Sequence, residues 1–289
     1  MITIELANKL ISTQFPEYSS LEIKSVKKQG YDNRTYRLGD DMLIRIPTSE
    51  YYALKVPKEQ EFLPKLSQYL SVKIPSPIKE GVPSEIFPYP LSIYKWIPGD
   101  SANELHLEAN DLNHIAKQLA SFLKELQSIN IAGPTPGRHN GWGGDHVSVK
   151  NDNARKQIKE LSNIIDSNKA IMLWEQACKT KWKKPLVWIH GDFSAGNILL
   201  EGNNLTAVID FGGTAMGDPA MDLQIAWFFL DVDSRQIFRD EMNIDDETWL
   251  RGRAWTLWKA TFDLCAITDK QSSKALRLIE IIYAVLGEV

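Results

Sequence analysis

Two short β-branched runs, each closing in a cluster of polar residues, constrain this 289-residue chain more than any other feature. PLVWIH at 185–190 leads into GDFSAGN, and LTAVIDF at 205–211 leads into a pair of glycines. Runs of this kind read as strands that stop at a loop. His190, Gly191, Asp192 and Asn197 then lie on the first loop and Asp210 on the second. The thirteen residues from Asn197 to Asp210 suit a short hairpin, which brings Asp192, Asn197 and Asp210 to one cleft. Two carboxylates and an amide oxygen are hard ligands suited to Mg²⁺ on nucleotide phosphates, and one carboxylate is left to orient a hydroxyl nucleophile. Taken singly, Asp192 and Asn197 read as turn residues, Asp210 as a strand end and His190 as a satisfied core histidine. Their joint spacing points to phosphoryl transfer.

The surrounding sequence divides unevenly. Residues 1–97 alternate apolar and polar positions in LEIKSVKK (21–28), RTYRL (34–38) and MLIRIP (42–47), and LSIYKWI (91–97) follows a proline-rich extended segment. These are expected antiparallel strands, interrupted by one helix in KEQEFLPKLSQYL, where Phe62, Leu66 and Tyr69 fall at helical spacing. Pro98-Gly99-Asp100 breaks the last strand, and the lobe boundary is placed there, giving regions 1–97 and 98–289. The second region is mainly helical, with Leu/Ile at three- and four-residue steps in 105–129, 153–181, 219–230 and 247–288. The fold class is therefore α+β, a small antiparallel sheet lobe followed by a larger helical one.

Several function classes drop out. A formal charge of -4 offers no basic field for nucleic acid or an anionic membrane. Two distant cysteines, Cys178 and Cys265, signal neither a disulfide framework nor a zinc site and suit a reducing compartment. Glu5 and Lys9 interrupt the first apolar stretch, and no apolar run is long enough to span a bilayer, so a cytoplasmic location is expected.

HGDFSAGN at 190–197 and IDFG at 209–212 resemble the catalytic loop and metal motif of the aminoglycoside phosphotransferase family, antibiotic kinases with a bilobal protein-kinase-like fold. The resemblance covers nearly the whole chain and is strongest over 186–228. It implies that Asp192 is the catalytic base, that Asn197 and Asp210 hold Mg²⁺, and that ATP or GTP is the co-substrate. His190 and Asp222 then support the loop; helix-dipole contact is the plain alternative for Asp222, and capping alone accounts for Asp218. In the first lobe Arg45 stands where the family's strand lysine is expected, paired with Glu59 on the following helix. Lys55 and Lys58, the other basic candidates, are expected to face solvent. Gly30 and Asn33 belong to a degenerate phosphate loop, and the backbone of Tyr94, Lys95, Trp96 and Ile97 is expected to meet the purine.

The reaction class leaves the acceptor open. Residues 231–247 carry seven acidic and two basic side chains, and Asp231, Asp233 and Glu241 would suit a polycationic aminoglycoside. Trp255 and its aromatic neighbours would suit a macrolide. Solvated charge and buried tryptophan are the ordinary roles of such residues. The loop TPGRHNGWGGDHVSV (135–149), with four glycines around Trp142, reads equally as a structural loop or a substrate lid, and its His139, Asp145 and His146 match no zinc spacing. The expectation is a small-molecule kinase acting on a hydroxyl of an antibiotic, as a monomer or weak dimer. A metabolic kinase of a sugar, choline or homoserine-like acceptor is the first alternative, and a non-catalytic nucleotide-binding scaffold is the second.

Overall fold

The computed structural model describes residues 2–27 and 29–287. Lys28 and Glu288, which close two of the segments expected above, lie outside the described residues.

The chain begins with α1 (Ile4–Gln14), capped by the Thr3 hydroxyl, which accepts from Leu6 N. Its Ala7, Leu10 and Ile11 recur at helical spacing and are buried, a helix that the strand-based reading of this region left out. β1 (Ile23–Ser25), β2 (Asn33–Leu38) and β3 (Met42–Pro47) follow as an antiparallel meander. A single turn, α2 (Glu50–Ala53), precedes α3 (Lys55–Leu66). The proline-rich segment contains a further strand, β4 (Pro77–Gly81), which pairs with β5 (Leu91–Lys95). The five strands form one antiparallel sheet in the order β1-β2-β3-β5-β4. Ile44, Ile46, Leu91 and Ile93 bury one sheet face together with α1. Leu63, Leu66, Ile74 and Tyr94 join the larger apolar cluster of the helical region instead, so α3 packs on both sides of the expected boundary.

Crossing at Gly99, whose φ of +141° belongs to glycine, the chain forms β6 (Asp100–Ser101). The helical region is built on α4 (Ala109–Ser128), which buries Ile115, Leu119, Phe122 and Leu123 along one face. After the glycine-rich loop come α5 (Asn151–Glu160) and α6 (Ser167–Cys178), two helices where one segment was expected. The Asp166 carboxylate accepts from Lys169 N and starts the second. β7 (Val187–Ile189), β8 (Ile198–Glu201), β9 (Asn204–Val208) and β10 (Ala215–Gly217) carry the polar clusters. α7 (Ile225–Phe228), α8 (Val232–Met242), α9 (Asp246–Ala266) and α10 (Ser273–Gly287) complete the fold. α8 is a helix built from the acidic stretch, because Phe238 and Met242 bury against the core while its charges stay outside. Among the described residues no helix is long and apolar enough to cross a membrane.

Candidate active site

Backbone pairing brings the two polar clusters together. β8 and β9 form the expected hairpin, Ile198 opposite Val208, and Ile209 N donates to Asn197 O at 2.8 Å, which ties the two loops at their roots. β7 pairs with β10, Ala215 opposite Ile189, so the segment after Asp210 returns beside His190. Gly191 has φ +82°, and a Cβ there would sit 2.2 Å from Gly213 O. Only glycine permits that approach.

Asp222 locks the first loop from beneath. It sits in a 3-10 turn at Pro219–Gln224 and is wholly buried, and its two carboxylate oxygens accept from His190 N (2.7 Å) and Gly191 N (2.8 Å). Burial pushes this carboxyl up, opposed by His190 and the two amide donors. His190 is equally buried. Its Nδ1 accepts from Asp192 N at 3.2 Å, so Nε2 carries the proton and donates to Ile209 O at 3.0 Å. Burial pulls its pKa down, and the neutral ring has both nitrogens engaged.

Asp192 projects from this braced loop. Asn197 Nδ2 donates both to Asp192 O (2.9 Å) and to its Oδ2 (3.2 Å). The side chain reaches solvent, yet lost hydration, followed by the nearby Asp210 charge, pushes its carboxyl up. Asp210, in the left-handed conformation at φ +64°, gives Oδ1 to Arg45 Nη2 at 2.9 Å. Burial opposes its ionisation, but the Arg45 charge and hydrogen bond outweigh it and hold the carboxyl at about 2. Arg45 also meets Glu59 Oε1 at 3.3 Å, and the Tyr94 hydroxyl donates to Glu59 Oε2 at 3.0 Å. Arginine therefore spans both carboxylates, one from each terminal nitrogen of its planar fork.

The remaining acceptors at this point are hard oxygens. Asp210 keeps Oδ2, and Asn197, whose Nδ2 is committed to Asp192, keeps Oδ1. Among the described residues no group of three or more His, Cys, Asp or Glu is gathered for a metal. A divalent ion here would fill its shell from water and phosphate oxygens, as Mg²⁺ does.

Lys58 corrects the sequence reading. Expected to face solvent, it is buried, and its ammonium donates to Gly212 O (2.8 Å) and Thr214 O (2.9 Å) and approaches His139 Nδ1 at 3.1 Å. Burial pulls its pKa down to about 8. The side chain thus pins the backbone just beyond Asp210 to α3. Lys58→Met is expected to cost about 1–3 kcal/mol by leaving two buried carbonyls unpaired. Urea denaturation reads this directly, and a loss under about 0.5 kcal/mol would contradict the pinning role. Lys55 is also engaged, its Nζ 2.6 Å from Asp32 Oδ2.

Strands β2 to β9 and the loops just described lie within residues 24–255, which match the Phosphotransferase enzyme family, APH. The chain belongs to this family. It is similar to the GDP complex of a point mutant of aminoglycoside 2′-phosphotransferase-IIIa, at 21% identity over 97% of this chain and 96% of that one, with a TM-score of 0.75. The GDP and kanamycin complex of APH(2″)-IIIa is 22% identical over 97% and 98% of the two chains, at a TM-score of 0.70. A macrolide 2′-phosphotransferase from Brachybacterium faecium is 18% identical over 99% of each chain, at 0.59. Likeness at these identities establishes the bilobal kinase-like fold. Among curated proteins none matches the chain.

Within this phosphotransferase, three groups of expected ligand-binding residues are placed differently. Lys95 N and Trp96 N donate to Ser76 O and Asp41 O, and Tyr94 is buried against Glu59, so these two amides and that ring are not open to a purine. Trp255 is wholly buried and touches Trp258 edge-on, which removes it as a direct acceptor contact. The acidic stretch serves its own helices. Asp231 caps α8 and Asp245 caps α9, while Asp246, Glu247 and Glu241 lie against Arg239, Lys183 and Lys124. Asp233 sits exposed in the first turn of α8, where a carboxylate favours the helix dipole. Gly30 lies at the open turn between β1 and β2, and Asn33 begins β2 opposite Pro47. His139 and His146 satisfy Lys58 and the Thr180 carbonyl.

One structural pair escaped the sequence reading. Asp218 caps its turn as expected but also forms a buried ion pair with Arg251. Arg251 falls within the helical spacing of α9, and a charged residue at an inward-facing position was the available signal.

Proposed function

We propose that this phosphotransferase moves the γ-phosphoryl group of ATP or GTP to a hydroxyl of an antibiotic, an aminoglycoside or a macrolide. The observation that carries the reading is the arrangement of Asp192 beside Asp210, one carboxylate held ready by Asn197 and the other anchored by Arg45. Asp192 Oδ accepts the acceptor's hydroxyl proton as its oxygen bonds to phosphorus, and the nucleoside diphosphate leaves with the electron pair of the broken bond. Asp222 and His190 keep Asp192 in place without exchanging protons themselves. Arg45, held by Glu59, positions Asp210 and offers a fixed positive charge to phosphate oxygens. Asn197 Oδ1 and Asp210 Oδ2 would hold Mg²⁺, which when bound offsets the charge spreading over the transferring group. GDP in the similar solved structures, and kanamycin in one, support a nucleotide co-substrate and a small hydroxyl acceptor.

A coupled assay of diphosphate release with Mg-ATP and Mg-GTP tests this across aminoglycosides, macrolides, choline, homoserine and simple sugars. Stimulation by one of the first two classes supports the reading. Stimulation by choline, homoserine or a sugar alone transfers the reaction to a metabolic acceptor. Bound nucleotide with silence on every acceptor favours a scaffold.

A further inference from the structure

The glycine-rich loop between α4 and α5 carries an exposed indole, Trp142, next to a glycine that packs near the Asp192 loop. Asn140 Nδ2 donates to Gly143 O (2.9 Å) and Gly213 O (3.2 Å), and Asp218 N donates to Gly144 O at 2.7 Å. These bonds seat the loop on the segment that follows Asp210, which β10 holds beside the strand leading to Asp192. A Cβ added at Gly143 would lie 3.7 Å from Gly191 O. Trp142, next to it, is a large non-glycine residue at φ +61° and remains 42% exposed. A bulky side chain held in that conformation and left in solvent costs free energy on both counts, which is a common mark of a functional position.

Lys150 Nζ stands 5.9 Å from the Trp142 ring and 4.9 Å from the Trp258 ring, and donates to Gly141 O at 2.8 Å. It is half-buried and has no carboxylate partner among the described residues. On α9 the aromatic surface continues through Phe262, 5.9 Å from Trp258 and 48% exposed. Lys259 and Asp263 pair beside it at 2.8 Å, and the Lys259 charge is felt at Asp192. Of the carboxylates in residues 231–247, Asp231 and Asp245 cap helices and Asp246 and Glu247 pair with Arg239 and Lys183, while Asp233 and Asp240 stay exposed on α8.

We propose that Trp142, Lys150, Trp258 and Lys259 form the acceptor wall and select a hydroxyl compound that presents an apolar ring face, against acceptors bearing several amino groups. The proposal rests on Asp192 as the point of transfer. Indole faces stack on hydrocarbon surface, and the Lys150 ammonium repels a polycation, while Asp263 offsets the Lys259 charge.

Calorimetric titration of the nucleotide-loaded protein with erythromycin, a largely hydrocarbon lactone with one amino group, and with kanamycin tests it. Erythromycin is expected to bind at least about tenfold more tightly. Trp142→Ala should weaken erythromycin about tenfold with nucleotide affinity unchanged, Trp142→Phe should restore most of it, and Lys259→Glu should strengthen kanamycin. Circular dichroism confirms that each variant is folded. Kanamycin binding as tightly as erythromycin, indifference of erythromycin to Trp142→Ala, or binding of neither compound overturns the wall. Erythromycin that binds as described but is not phosphorylated leaves the wall standing and sinks the antibiotic-kinase reading instead.

Discussion

Asp192→Ala is expected to lower kcat at least about 10²-fold while nucleotide affinity stays nearly the same. The size follows from the lack of any substitute base. His190 is the nearest alternative, and its Nδ1 and Nε2 are taken by Asp192 N and Ile209 O in a buried pocket that disfavours the charged ring. Asp210 is held at about 2 by Arg45 and is a poor proton acceptor at neutral pH. Burial and the Asp210 charge push Asp192 the other way, which strengthens it as a base. Nucleotide affinity is spared because Arg45, Glu59 and Asp210 form their ion pairs without Asp192. Steady-state kinetics at saturating acceptor, with nucleotide binding measured separately, reads both halves. A kcat within about threefold of the parent enzyme would remove Asp192 from the chemistry.

Asp218→Ala is expected to destabilise the protein by about 3–5 kcal/mol. Asp218 and Arg251 have side-chain exposures of 5% and 1%, so the pair lies in a low-dielectric interior. Removing the carboxylate leaves a guanidinium buried with only Thr180 and Thr248 hydroxyls for company. It also orphans Ala220 N, the amide that Asp218 caps. The pair joins the turn carrying Asp222 to α9, which carries Trp258 and Lys259, so its loss should loosen the catalytic loop and the acceptor side together. Replacing both partners, Asp218→Leu with Arg251→Met, should recover much of the loss, because no charge is then stranded. Urea midpoints of the three variants decide the matter. A single-variant loss under about 1 kcal/mol would mean that the pair adds little beyond a surface contact.

What was legible in the sequence is local. His190 to Asn197 and Asp210 lie within one strand-loop-hairpin unit, and a tight hairpin leaves few ways to arrange its ends. Their convergence could therefore be read from spacing. Arg45 opposite Glu59 was an expectation of the family resemblance and not of local spacing. α1 and α8 carry their signal in buried apolar steps, masked in the first by its place ahead of alternating strands and in the second by its charge.

Other features depended on which faces meet. Lys58 looked like an exposed helical lysine, and its partners at Gly212, Thr214 and His139 lie far away in sequence. The acidic stretch looked like a cation-binding surface because composition counts charges and does not see that they cap helices and pair with Arg239 and Lys183. Trp255 and Phe262 share one helix and similar hydrophobicity, yet the first is wholly buried and the second half exposed. Short-range chain geometry brought the proposed reaction centre together from the sequence by itself. The acceptor side was decided only by tertiary packing, since desolvation and charge pairing belong to whichever residues the fold brings into contact.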